Sequence, residues 1–307
     1  MAADQGLAPG PVTDPAAARS DVSRRGRVSA FFATRPKIRL GLLLTPPLLW
    51  LVVAYLGSIL VLLLTAFWTV NEFTGKAEPA FQFGNIVTVL TDPLYRTVTL
   101  RTLLVAIGVT VIDAIIAFPM AFYMAKIASP RTRAFFLVAV TTPLWASYLV
   151  KAYAWRVLFE PDGPIDIVTG GNSPGYGLAA TVVTLAYLWL PFMIIPLYAG
   201  FDRVPDSLFE ASADLGASTG RTVRSVVLPL VFPAMAAGSI FTFSLTFGDY
   251  IAVTIVGGKT QLLANLIYGQ LVTANNQPLA AALSIVPLVA IILYLVAMRR
   301  TGALENV

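Results

Sequence analysis

Two carboxylates stand where carboxylates are costly. Asp113 and Asp249 each interrupt a long apolar run. An ionised acid in hydrocarbon costs about 2.5–3.5 kcal/mol or more on insertion scales, so such groups face a cavity, a partner or a substrate. Asp249 lies in Phe243-Ser244-Leu245-Thr246-Phe247-Gly248-Asp249-Tyr250. Gly248 there permits an unwound or kinked backbone, and a carboxylate beside Tyr250 suits an organic cation by joining charge to a ring face. Two duller roles compete: an interhelical hydrogen bond, or an ion pair with Lys151 or Arg156. Asp113 reads first as an acid bonded to a buried Ser or Thr, with a place on a substrate path as its alternative. Trp145, Tyr148, Tyr153 and Trp155 line the same path in one reading and form an interfacial belt in the other.

Other chemistries are excluded by residue type. The chain has no Cys and no His, which removes disulfides, thiolate metal sites, Ser-His-Asp catalysis and the near-neutral proton shuttle. A phosphate-binding loop ending at Gly258-Lys259-Thr260 would need its first glycine at position 253, which is Val253. That segment reads as a turn, so ATP hydrolysis would need another subunit. No catalytic residue, metal ligand or bound cofactor is expected.

The elements that position these residues are membrane spans. Hydrophobic residues make up 57% of the 307 and charged ones 12%, about half the charge of a soluble domain; the mean hydropathy is +0.77. The expected architecture is an all-α polytopic membrane protein of about six transmembrane helices. The spans are placed at 40–70, 102–125, 134–158, 178–200, 226–256 and 279–298, long loops falling at 71–100 and 160–177. Pro46-Pro47 is expected to mark a boundary or kink, and further prolines inside spans point to kinked helices around a cavity. Residues 1–38 are expected to be a disordered cytoplasmic tail, 39–300 the transmembrane domain and 301–307 a short tail. No cleaved signal peptide is evident. Of 21 Lys and Arg, about 15 fall in alternate connections (the N-terminal tail, Lys126–Arg133, Arg203–Arg224 and Arg299-Arg300), against Lys76, Arg96, Arg101 and Lys259 opposite. That asymmetry places both termini in the cytoplasm and accounts for the net charge of +5 without nucleic acid. The acidic outer loop of Glu160, Asp162 and Asp166 reads as solvated, or as a seat for a basic partner. No internal repeat is seen.

One polar stretch remains, at 203–225 on the basic side. Ser207 and Glu210 have capping-box spacing, Ala211, Ser212 and Ala213 give a low-profile flank, and Gly216 can end the helix; a second helix would restart near Ser218. Glu210-Ala211-Ser212, three residues, Gly216, nine residues, Val226, one residue, then Leu228-Pro229 resembles the EAA loop of bacterial ABC importer permeases at every spacing. Ser212 stands where a second Ala is usual, and Val226 where Ile is commonest. The whole of 40–300 is similar to type I ABC importer permeases, and Leu245–Tyr250 with Gly257-Gly258 resembles spermidine/putrescine permeases. The resemblance implies that Glu210, Ala211, Ser212, Asp214, Leu215, Gly216, Leu228 and Pro229 form a coupling helix and its frame. Asp249, Tyr250, Asp113, Trp145 and Tyr148, singled out above by residue type and place, are the residues expected on the substrate path. The partners implied are a second homologous permease, two ATPase subunits carrying ATP and Mg, an extracytoplasmic solute-binding protein and the lipid of a bacterial cell membrane. A permease for sulfate, molybdate, ferric ion or sugar is the closest rival; a secondary transporter or channel, and a membrane-embedded enzyme, are further off.

Overall fold

The computed structural model describes residues 36–71 and 73–302, and the expected tails at 1–35 and 303–307 lie outside the described residues. The chain divides into two units, ending and starting at Leu62 and Leu63. In the first, α1 (Pro36–Leu51) runs through a π turn (Val52–Leu56) into α2 (Gly57–Thr65). Pro46 and Pro47 lie inside α1 rather than at its edge. The expected first span is also too long at its end. Helix stops at Thr65, and a short antiparallel hairpin follows, β1 (Thr69–Val70) paired to β2 (Ala77–Glu78).

Beyond the hairpin, α3 (Gly84–Thr91) leads into α4 (Pro93–Phe122), which continues through a π turn (Tyr123–Ile127). The expected loop at 71–100 is therefore largely structured, and the second span begins at Pro93 rather than Thr102. Local capping explains this. Asp92 accepts the Leu94 N–H at 2.7 Å and Pro93 holds the first-turn position, where its missing N–H costs nothing. The expected third span is not one helix. α5 (Pro130–Trp145) and α6 (Tyr148–Leu158) meet at 97°, because Ala146 turns extended (ψ 142°). The break frees the Pro143 carbonyl, and Lys151 Nζ donates to it at 2.9 Å, a cation serving the orphan acceptor of a helix C-terminus.

After the short α7 (Pro164–Thr169), α8 (Leu178–Asp202), α9 (Ser207–Asp214) and α10 (Thr219–Thr222) follow; a π turn (Val223–Val227) then joins α11 (Leu228–Gly248). The fifth span is interrupted: Asp249 is extended, and a separate α12 (Ile251–Val256) succeeds it. α13 (Leu263–Tyr268), a π turn (Gly269–Thr273) and α14 (Gln277–Arg299) complete the chain. Among the described residues five helices are long and apolar enough to cross a membrane, or six if the bent pair counts as one span.

α4, α8 and α11 pack pairwise as the centre of the second unit. A Cβ on Gly200 would meet that of Ala234 at 2.5 Å, and one on Gly238 would lie 2.9 Å from Met193 Sδ and 3.1 Å from its Cα. Small residues thus let α8 and α11 approach, the usual device where lipid supplies no hydrophobic drive. Ala117, Ala121, Met193, Leu197, Phe201 and Val231 fill the core beside them. α14 packs antiparallel on α11, with Tyr294 stacked on Phe243 (4.1 Å, 8°) and donating to Ser239 Oγ at 2.9 Å.

Candidate functional site: a surface helix and an acid-bearing cleft

α9 is the surface helix. Ser207 is its first residue rather than its cap, and the preceding Asp206 offers the helix no side-chain bond. The expected capping box does not form. The opposite end follows expectation in detail. Gly216 takes φ +73°, its N–H bonds the Ala213 carbonyl at 2.8 Å, and the Ala217 N–H reaches back to Ser212 at 3.0 Å. Those two bonds make a Schellman motif, and its left-handed residue favours glycine. Ser212 faces inward and shares a 2.7 Å hydrogen bond with Thr222 on α10, which fixes the angle between the two helices. Glu210, Ala211 and Asp214 are exposed, as is Leu215 at 88%. Downstream, Pro229 has no N–H to return to Ser225, and the backbone adopts the π turn Val223–Val227 instead. Leu228 is half-buried and Pro229 exposed. The Glu210–Pro229 pattern thus builds one frame: an exposed face carrying two acids and a leucine, held by a rigid turn.

The second feature is the break before α12. Asp249 is 8% exposed. Its Oδ1 accepts the Ala252 N–H at 2.9 Å, placing the carboxylate at the N-terminus of α12, where negative charge is favoured. Its Oδ2 accepts from the Tyr148 hydroxyl, which itself accepts from the Ala252 N–H at 3.1 Å. The rival ion pair is not made. Lys151 is taken by Pro143, while Arg156 donates to the Ile255 carbonyl at 3.0 Å and lies 5.2 Å from the Tyr176 ring. A cleft of about 300 Å³ opens here, lined by Tyr148, Trp189, Ser244, Leu245, Gly248, Asp249, Tyr250 and Ile251. Tyr148 stacks on Trp189 (6.0 Å, 27°) and Tyr250 on Tyr268 (4.9 Å, 15°). Asn265 Nδ2 donates to the Tyr250 carbonyl at 3.0 Å and holds the break open. Gly248 contributes room: it has no left-handed φ, and a Cβ there meets nothing within 4 Å.

Asp249, Tyr250 and Tyr148 are therefore brought together; Asp113 and Trp145 are not. Trp145, 90% exposed, ends α5 away from the cleft. Tyr153 is exposed and Trp155 stacks on Phe159 (5.7 Å), so neither lines it. Asp113 is fully buried on α4, and neither oxygen has a partner among the described residues. The expected bond to Ser or Thr is not made among the described residues: the Thr110 hydroxyl, one turn away, donates to its own helix at the Ala106 carbonyl at 2.7 Å. In the acidic loop, Asp166 is used internally, accepting from Ser173 and Asp162 backbone N–H groups.

Trp189 and Tyr268 escaped the sequence reading. Trp189 carried a signal: it lies in the middle of its span, not at an end where an interfacial belt places tryptophan. A second cleft of about 470 Å³, lined by Pro196, Gly200, Arg203, Leu208, Leu230 and Pro233 among others, opens between α8 and α11 nearer α9. The Phe192–Phe241 ring pair (6.2 Å) lies between the two clefts along the same helices.

The family model for the inner membrane component of binding-protein-dependent transport systems matches residues 29–301. The chain is 44% identical over 299 residues to the inner membrane ABC transporter permease protein YdcU of Escherichia coli (strain K12), covering 91% of this chain and 95% of that one. It is 33% identical over 204 residues to the spermidine/putrescine transport system permease protein PotB of Haemophilus influenzae, covering 64% and 71%. Among solved structures, a bacterial ABC transporter importing the acidic polysaccharide alginate aligns with TM-score 0.62 at 15% identity (89% of this chain, 99% of that one). The MetNI methionine ABC transporter aligns with TM-score 0.54 at 18% identity (68% and 96%).

Proposed function

From a chain that belongs to the inner membrane components of binding-protein-dependent transport systems, and so is the permease subunit of an ABC importer, we propose that the solute carried is a polyamine. The observation that carries this reading is Asp249, seated at a helix break on a cleft walled by Tyr148, Trp189 and Tyr250. A carboxylate has about four acceptor sites, and two are used internally by Ala252 and Tyr148. The remaining ones can accept from an ammonium, while the rings supply cation–π attraction of about 0.5–2 kcal/mol each. An anion would meet a buried negative charge here, which disfavours sulfate or molybdate. Two relatives named as spermidine/putrescine permeases support the same class.

In this reading the chain supplies half of the pathway beside a second, homologous permease. α9 docks on one of two ATPase subunits, which hold ATP and Mg, and an extracytoplasmic solute-binding protein delivers the solute. Both termini and α9 lie in the cytoplasm. ATP binding closes the ATPase pair and moves α9. The membrane halves then open outward, and hydrolysis resets them. Uptake of labelled putrescine and spermidine by the reconstituted complex, with sulfate and maltose as competitors, tests the substrate class. Saturable polyamine uptake blocked by neither competitor is expected; uptake of the anion or sugar alone would overturn it.

A further inference from the structure

The end of α4 carries a contact used by neither the docking pattern nor the cleft. Lys126 lies in the π turn Tyr123–Ile127, with 13% of its side chain exposed. Its Nζ donates to the Val204 carbonyl at 2.6 Å and to Asp206 Oδ1 at 2.8 Å, and stands 5.9 Å from the centroid of the Phe209 ring. Val204 and Asp206 form the elbow between α8 and α9, and Phe209 belongs to α9 itself. One side chain on α4 thus grips both the entry to the surface helix and its inner face. Arg133 stiffens the mount: it donates to the Met124 and Ala125 carbonyls at 3.0 and 2.8 Å and approaches Asp202 at 3.6 Å.

Magnitudes say which contact matters. Asp206 is 80% exposed, and solvated ion pairs contribute little. The Val204 carbonyl lies past the end of α8, without a helical donor, and a charge-assisted bond to it is among the stronger kinds. The other contacts that join α9 and its elbow to α4 are apolar and non-directional: Phe209 against Phe122, and Val204 and Phe209 in the cluster of Ala121, Met124 and Ala125.

We propose that Lys126 is a positioning residue for energy coupling: through Val204 and Phe209 it fixes α9 to the end of α4 by a directional polar bond, so that displacement of the docked helix is carried into α4 as well as α8 and α11. The proposal rests on the docking reading of α9. In the assembled transporter in vesicles, Lys126→Met is expected to lower solute moved per ATP hydrolysed at least ten-fold, with hydrolysis within two-fold of the parent. Lys126→Arg stays within about three-fold, and Asp206→Asn within about two-fold. Hydrogen exchange on the full chain is expected to show amides 207–216 at least five-fold faster in Lys126→Met. Lys126→Gln, which keeps a donor without charge, is read the same way if the Met variant does not accumulate. Unchanged coupling, unchanged exchange, or hydrolysis and uptake falling in parallel would each overturn the proposal. Glu210→Cys separates the two readings. No crosslink to any peripheral subunit removes docking and this proposal together, whereas a crosslink with unaltered coupling in Lys126→Met removes this proposal alone.

Discussion

In the proposed reading Asp249 would both hold the start of α12 and meet the cation, and substitution should separate the two. Asp249→Asn keeps the shape and can still accept from Ala252, so α12 stays capped while the charge is lost; polyamine uptake is expected to fall at least ten-fold with membrane level unchanged. Equal uptake would take the acid off the path. The aromatic walls allow an internal contrast. Trp189→Ala should raise the half-saturating polyamine concentration about five-fold, in the range of one lost cation–π contact, whereas Trp145→Ala, on an exposed residue away from the cleft, should leave it unchanged. The carboxylate and Tyr250 were legible from type and spacing. Trp189 and Tyr268 were not, because ring partners drawn from α8 and α13 are set by helix rotation, which no linear pattern records.

At the scale of elements, the surface helix depends on a backbone angle rather than on space. Nothing lies within 4 Å of a Cβ built on Gly216, but its φ is +73°. A β-branched residue there costs about 1–2 kcal/mol or more, while asparagine tolerates the conformation. Gly216→Val should abolish uptake with insertion intact, and Gly216→Asn should retain most of it; equal loss in both would point to crowding at an interface instead. The crossing of α8 and α11 obeys the opposite rule. Gly238→Leu must displace Met193 from a contact of about 3 Å, and overpacking of this kind costs about 1–3 kcal/mol. Its melting temperature in detergent should drop by several degrees. The helix ends show the same division of legibility. Gly216 stops its helix as glycine does after a last helical turn. Ser207 is not a cap because it is already the first helical residue, after an elbow at Val204–Asp206 that Lys126 of α4 holds, a contact from a distant part of the chain.

For the whole molecule, the basic loops at Lys126–Arg133 and Arg203–Arg224 meet at one end of the bundle, since Lys126 bonds Asp206. At the other end, Asn275 Nδ2 donates to the Gly75 carbonyl at 3.1 Å. The absence of cysteine makes sidedness directly measurable. Leu215→Cys and Phe73→Cys, each the sole cysteine of the chain, should be labelled from opposite faces of the membrane by an impermeant maleimide, Leu215→Cys from the cytoplasmic one. Labelling of both from the same face would contradict the charge asymmetry and the docking of α9 alike.

Residue order alone determined that the chain is helical and membrane-embedded, how its basic loops alternate, and where the Glu210–Pro229 pattern sits. Each of these is a one-dimensional quantity: a run of apolar residues, a count of charges, a fixed spacing. The tertiary structure decided that the third span bends at Ala146 and the fifth stops at Asp249, and that Tyr148 and Trp189 join that acid. It also decided that Asp113 stands buried without a partner among the described residues. Those outcomes depend on which carbonyls and hydroxyls find donors on other helices, and such pairings exist only once the helices have packed.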